Sequence, residues 1–419
     1  MMSAAAGQIL RLLLLFSICF ACMRTSAVHA AEVRVGNGVD FAAAVAKAAA
    51  GDRIIVPNGV HTAIDVKIDK PLEITGQAGA TLDGKGKSQI LIISAGNVVI
   101  RGLTFIRSGM SYVSDNAAIK ATGISDLKIE NCSFRDNFFG IYLAKSSNCI
   151  VRNCSFKASG RLESSSGNGI HQWYCRNSVI ENNTIAGHRD GIYLEFSRNA
   201  IIRGNKSLNN IRYGLHFMFS DSCAYRDNLF QENGAGVAVM YSKFITMTGN
   251  IFRQNWGPAA YGLLLKEIAD SHIERNRIEG NTTGLYADGC NRNTIHFNTF
   301  HRNGWGVKIY ANSSQNNFKD NNFLSNTFAV STNSSSLQTN VFDANYWSEY
   351  TGYDLNRDGF GDAAHHPVRL FTILIERQPT SLILLRSLFI DLLDAAERAL
   401  PVLTPQTLAD AHPRMKPKQ

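Results

Sequence analysis

The chain has 419 residues, 45% apolar and 18% charged, with a formal net charge of +8. That composition excludes a disordered polyelectrolyte and supplies enough apolar side chains for a long core. Lys and Arg are scattered with no dense block, which argues against nucleic-acid binding but is compatible with an anionic substrate or a membrane-bound partner.

Residues 1–30 read as a secretory signal. Arg11 precedes the apolar run 12–21, too short to cross a bilayer comfortably, and Val28 and Ala30 place small residues three and one before a cleavage point. Cys19-Phe20-Ala21 is a poor lipidation motif before Cys22, so a soluble mature chain beginning at Ala31 is expected. Losing Arg11 and Arg24 lowers the charge from +8 to +6. Cys132, Cys149, Cys154, Cys175, Cys223 and Cys290 remain. An oxidising compartment permits disulfides, but two of these lie on a repeat column, which points first to packing.

Residues 40–50 predict an alanine-rich amphipathic helix, followed by Gly51-Asp52 and the strand Arg53-Ile54-Ile55-Val56. Such a helix would cover the open end of a stacked core.

From there a repeat takes over. A glycine followed by an apolar residue recurs at Gly140, Gly169, Gly191, Gly214, Gly236, Gly262, Gly284 and Gly306, in steps of 29, 22, 23, 22, 26, 22 and 22. A second column runs Cys132, Cys154, Asn183, Asn205, Asn228, Asn250, Asn276, Asn298, Asn321, in steps of 22, 29, 22, 23, 22, 26, 22 and 23. Both columns register the same two insertions, near 161–167 and 256–259. Two columns that agree identify a solenoid, and a period near 22 residues fits one turn of a parallel β-helix. The fold expected is all-β: a right-handed parallel β-helix over residues 31–347, with an N-terminal capping helix and C-terminal amphipathic helices. Stacked asparagines would hydrogen-bond along its axis, and Cys132 and Cys154 would stack in that column as small apolar side chains.

After each column glycine, positions +1 and +3 are mostly apolar, as in Leu215 and Phe217, and point to the core. Positions +2 and +4 then face outward. They read Tyr142, His171, Tyr193, His216, Ala238, Leu264, Tyr286, Lys308 and Ala144, Trp173, Glu195, Met218, Met240, Lys266, Asp288, Tyr310. His216 and Met218 share a strand face about 7 Å apart, with Met240 one coil away at about 5 Å, so the three are candidate ligands to one ion. Thioether and imidazole donors suit Cu(I) better than zinc or hard cations. An apolar docking face for another protein fits the same residues, with His171, Trp173, Tyr193 and Glu195 as candidate partner contacts. A sugar platform is a third reading. Gly187-His188-Arg189-Asp190 enters this region and fits either acid–base chemistry on a uronic acid or a structural turn network. A polysaccharide lyase or epimerase would want clustered outward carboxylates, yet Glu195 and Asp288 stand four coils apart.

Residues 348–370 are a loop region rich in Asp, Asn and Gly. Asp354, Asn356, Asp358 and Asp362, with Gly359, match the first part of a calcium loop, but His365 stands where the bidentate glutamate belongs. The alternative is a turn held by its own backbone. Residues 371–419 form a tail. Pro379 is expected to open a helix to about Leu400 with Leu382, Leu385, Phe389, Leu392 and Leu393 on its apolar side. It is too short and too charged to span a membrane, and docking to a partner is favoured over capping the solenoid.

The phrases Gly187-His188-Arg189-Asp190-Gly191-Ile192-Tyr193, Arg212-Tyr213-Gly214-Leu215-His216-Phe217-Met218-Phe219, Gly234-Ala235-Gly236-Val237-Ala238-Val239-Met240-Tyr241 and Tyr261-Gly262-Leu263-Leu264-Leu265-Lys266-Glu267 resemble the NosD family, as does the tail around 392–405. The resemblance spans roughly residues 32–415. It implies a periplasmic protein, not itself an enzyme, that works with an ABC-type permease and its ATPase to supply the copper-sulfide centre of nitrous oxide reductase. Copper would reach that complex from a lipoprotein copper chaperone. The resemblance places the tail on the permease, but does not assign His216, Met218 and Met240 as ligands.

Overall fold

Strands of two to six residues, broken by turns at positive φ, wind into a right-handed solenoid of three parallel sheets. Among the described residues these sheets hold 14, 12 and 13 strands. The computed structural model describes residues 31–36, 40–111, 113–160, 162–257, 260–334, 337, 339–400, 404 and 407–418; the signal-peptide reading of residues 1–30 lies outside them. Inward positions behave as alternation requires. Ile192, Leu194, Leu215, Phe217, Val237 and Val239 are all fully buried. Aromatic rings stack from coil to coil within the core, for example Phe105–Phe134 at 5.0 Å and Phe134–Phe156 at 4.5 Å.

The glycine column has a steric cause. A Cβ placed on Gly214 would lie 2.6 Å from the carbonyl oxygen of Gly236, and one on Gly236 would lie 2.4 Å from that of Gly262. Any side chain there would force successive coils apart.

The asparagine column is a hydrogen-bond ladder. The side-chain oxygen of Asn250 accepts both the backbone amide of Asn228, at 3.1 Å, and its Nδ2, at 2.9 Å. Asn250 then donates to Asn276 Oδ1 at 3.0 Å. Cys154 joins by donating its amide to Asn183 Oδ1 at 2.9 Å. All six described cysteines are buried free thiols. Other ladders accompany this one: Asn210–Asn233–Asn255–Asn281–Asn303–Asn326, a serine ladder Ser197–Ser220–Ser242, and a separate column in which Ser271 leads to Asn293, Asn316 and Asn340.

Helix α1 (Phe41–Lys47) buries Phe41, Ala44 and Val45 at the first coils, and the Asp40 carboxylate accepts the amide of Ala43 at 2.7 Å. It ends three residues earlier than expected, because Ala48 turns extended and the Asp52 carboxylate takes the amide of Ala49 at 2.7 Å. At the far end the last strand is Tyr346–Trp347. The ladder finishes on a carboxylate: Asp410 Oδ2 accepts from Asn345 N, Asn345 Nδ2 and Trp347 Nε1 at 3.0, 3.1 and 2.9 Å.

The tail differs from the single helix expected from Pro379. Residues Pro379–Leu384 form a 3₁₀ turn, and Leu385 and Arg386 leave helical space (φ 69° at Arg386). Helix α2 (Leu370–Arg377) precedes this break and helix α3 (Leu388–Ala399) follows it. Phe371, Ile375 and Ile390 pack on Phe328 of the solenoid, with Leu385 and Leu393 against that cluster. Lys308 Nζ pairs with Glu376 at 2.8 Å. Leu385 and Leu393 are therefore half-buried against the chain's own solenoid. Leu382, Phe389 and Leu392 stay exposed. Among the described residues no helix is long and apolar enough to cross a membrane.

Candidate functional site

The outer face of the 12-stranded sheet carries the predicted residues on the strands Asp190–Glu195, Tyr213–Met218 and Ala235–Met240. The +2 column does face outward, but it is not the open surface expected. Tyr142, His171, Tyr193 and His216 follow one another along the axis at centroid distances of 4.6, 4.8 and 4.7 Å, the first pair stacked and the next two tilted, and all are buried. The covering comes from the residue before each column glycine, which joins this outer layer. Phe139 lies 5.7 Å from Tyr142, and Tyr213 lies 4.8 Å from His216. Trp173 packs beside that first cluster under Lys145, whose Nζ sits 5.4 Å from the ring.

Asp190 anchors the layer. It is fully buried and held by Arg212, with Nε on Oδ1 at 2.9 Å and Nη2 on Oδ2 at 2.6 Å. Burial alone would raise its pKa, but the hydrogen bonds and charge of Arg212 bring it down to about 2. Arg212 extends the network to Glu163 at 3.2 Å, on the insertion at 161–167. The segment 187–190 thus supplies a structural network, the second of its two readings.

His216 Nδ1 lies 3.7 Å from Asp190 Oδ2, and neither ring nitrogen of His216 has a hydrogen-bond partner although the side chain is only 7% exposed. An unsatisfied buried imidazole is costly, and it marks a place where another donor or acceptor belongs. Two residues on, Met218 is the register partner of Met240 in the next coil and of Glu195 in the previous one. Tyr193 Oη lies 3.7 Å from Met218 Sδ. Met218 and Met240 are half-buried. The structure therefore brings His216, Met218 and Met240 into one patch, with His216 beneath a lid of tyrosines. His171 is held differently: Asn168 Nδ2 is 3.0 Å from its Nδ1, and burial, then Arg189, lowers its pKa to about 3, so it stays a neutral imidazole.

The loop residues fare otherwise. Asp354 accepts the amides of Asp358 and Gly359 at 3.2 and 2.9 Å, Asn356 that of Asp358 at 3.0 Å, Asp358 that of Phe360 at 2.9 Å, and Asp362 that of Leu355 at 2.7 Å. This is the self-held turn, and it gives calcium no support. Among the described residues no three His, Cys, Asp or Glu side chains are grouped to share an ion.

Sequence reasoning missed the surroundings of His216. Arg212 and Tyr213 precede the column glycine by two and one; alternation carried back across the glycine would turn Tyr213 inward, yet its ring joins the outer layer beside His216. Their signal was positional: Asp190 and Tyr213 occupy the same place in consecutive coils.

Residues 158–352 match the family model described as periplasmic copper-binding protein (NosD), and residues 58–162 match that of the right handed beta helix region. A Stutzerimonas stutzeri protein named probable ABC transporter binding protein NosD is 30% identical over 368 residues, 83% of this chain and 84% of its own. A Pseudomonas aeruginosa protein of the same name is 29% identical over 367 residues, 83% of this chain and 85% of its own. Among solved structures, the Dettilon tailspike protein gives a TM-score of 0.61 at 14% identity, covering 74% of this chain and 70% of that one, which is a likeness of fold.

Proposed function

The chain belongs to the NosD family, and from that premise we propose that it is a periplasmic accessory protein of an ABC-transporter complex that passes copper toward the copper-sulfide centre of nitrous oxide reductase. One observation carries the copper part of this reading: a buried imidazole with two unpartnered nitrogens beside two register-paired thioethers. Cu(I) is a soft ion that accepts few ligands, and His216, Met218 and Met240 form a matching donor set. Thioethers bind it without a proton to lose, which favours transient holding over permanent capture. Copper is thus cargo in this reading, arriving from a lipoprotein copper chaperone and leaving for the reductase.

The tail supplies the attachment. Leu382, Phe389 and Leu392 are exposed while Ile390 anchors α3 to the solenoid. An apolar ridge held on a rigid body suits contact with the permease, whose ATPase would drive the cycle.

The test is maturation in a denitrifying cell in which this chain is the sole protein of its kind. Reductase purified from that cell should carry the copper-sulfide centre, read by its visible absorption, and reduce nitrous oxide. Reductase with a full centre in cells lacking this chain would refute the proposal.

A further inference from the structure

The asparagine ladder ties each coil to the next through its side chains. From Asn183 to Asn345 every step carries an Nδ2–H donated to the next Oδ1, at 2.9–3.1 Å. Asn183 also reaches back to the carbonyl of Val151 in the preceding coil, at 3.0 Å. Before Asn183 the amides stop, and two thiols stand in their place. The Cys154 sulfur lies 3.2 Å from the carbonyl oxygen of Arg152 in its own coil and 3.7 Å from that of Ile129 in the preceding one. The Cys132 sulfur lies 3.3 Å from Glu130 O and 3.9 Å from Ile100 O in the same way. The column therefore has its weakest bonding from coil to coil at these two residues.

Resting on the periplasmic reading above, we propose that Cys132 and Cys154 are oxidised to a disulfide on export, so that a covalent staple replaces the missing ladder step. Register places the pair. Ser133 is the strand partner of Ser155 and Phe134 of Phe156, so the residues just before them, Cys132 and Cys154, stack one coil apart. Consecutive coils stand about 4.8 Å apart. A disulfide accepts roughly 4.4–6.8 Å between its Cα atoms. The other four thiols have no cysteine in register. Cys149 stacks on Ser178, Cys175 on Ser197, Cys223 between Ala200 and Ile245, and Cys290 on Ser313.

The oxidant is the disulfide of a thiol oxidase. One cysteine thiolate attacks it, and the second thiolate displaces the oxidase from the mixed disulfide. The two thiols lose two electrons and two protons, and the oxidase leaves as a dithiol. The finished solenoid buries both cysteines at 3% exposure. Oxidation therefore takes place as the coils wind, and the step of 22 residues between the two closes once a single coil has formed.

The experiment isolates the full chain from acid-quenched cells, unfolds it without reductant, alkylates it and digests it for mass spectrometry. The Cys132 and Cys154 peptides should be recovered joined and lighter by two hydrogens than their sum, with Cys149, Cys175, Cys223 and Cys290 alkylated. Reductant should lower the melting temperature of this chain by several degrees and leave that of Cys132→Ser/Cys154→Ser unchanged. A second arm refolds the reduced chain from urea with oxidised glutathione, where the same link should form. Both cysteines alkylated in both arms, or a link between any other pair, would overturn the staple. A link formed with glutathione but absent from the cellular protein would uphold the pairing and overturn the periplasmic reading.

Discussion

Asp190→Asn removes the charge at the centre of the outer network while keeping its shape. In the native chain this carboxylate is fully buried and accepts two bonds from Arg212. Breaking a buried pair by neutralising one partner costs about 3–5 kcal/mol, because Arg212 keeps its charge without its counter-ion. The loss also has a pH signature. The folded-state pKa is depressed from 3.8 to about 2, so the stability linked to ionisation is fully present above about pH 4 and is lost as pH falls toward 2. That difference is worth on the order of 2 kcal/mol. Urea unfolding of both proteins between pH 7 and pH 2 should therefore show a gap of a few kcal/mol at neutral pH that narrows by about 2 kcal/mol in acid. A gap independent of pH would refute the assignment of the charge to this pair.

Other expectations follow from the ladders and the tail. Asn250→Ala deletes four side-chain hydrogen bonds and should cost roughly 2–6 kcal/mol in urea unfolding, and Asn250→Cys should cost less, since thiols fill that column at Cys132 and Cys154. Ile390→Ala, in the cluster with Phe328 and Phe371, should lower stability by about 2–4 kcal/mol. Leu388→Glu/Leu392→Glu, on exposed positions, should leave the melting curve unchanged yet reduce co-purification with the permease; retained co-purification would remove the tail from that interface.

The solenoid was legible because close coil contact dictates residue type. A Cβ on the glycine column meets a carbonyl, and an asparagine in the ladder must accept from the coil before it. The other ladders escaped notice for a physical reason. Any short side chain with an oxygen accepts the neighbouring amide, so Ser271 and Asn293 do one job under two names. Alternation also told which side of the sheet His216 occupies, but not what lies over it. Tyr213 covers it from beside the column glycine, where the chain breaks the alternation. The tail was ambiguous because one apolar stripe serves a partner or the chain's own sheet. Only the break at Leu385 and Arg386 lets Ile390 and Leu393 turn inward while Phe389 and Leu392 face out.

Copper on the outer methionine patch is the claim on which the functional account turns. A Cu(I) competition titration of the chain beginning at Ala31, beside Met218→Ala/Met240→Ala and His216→Ala, tests it most directly. The expected result is close to one tightly held Cu(I) per chain, lost in the methionine variant and weakened in the histidine variant, with unchanged circular dichroism. Equal binding by all three would place copper elsewhere and contradict the assignment.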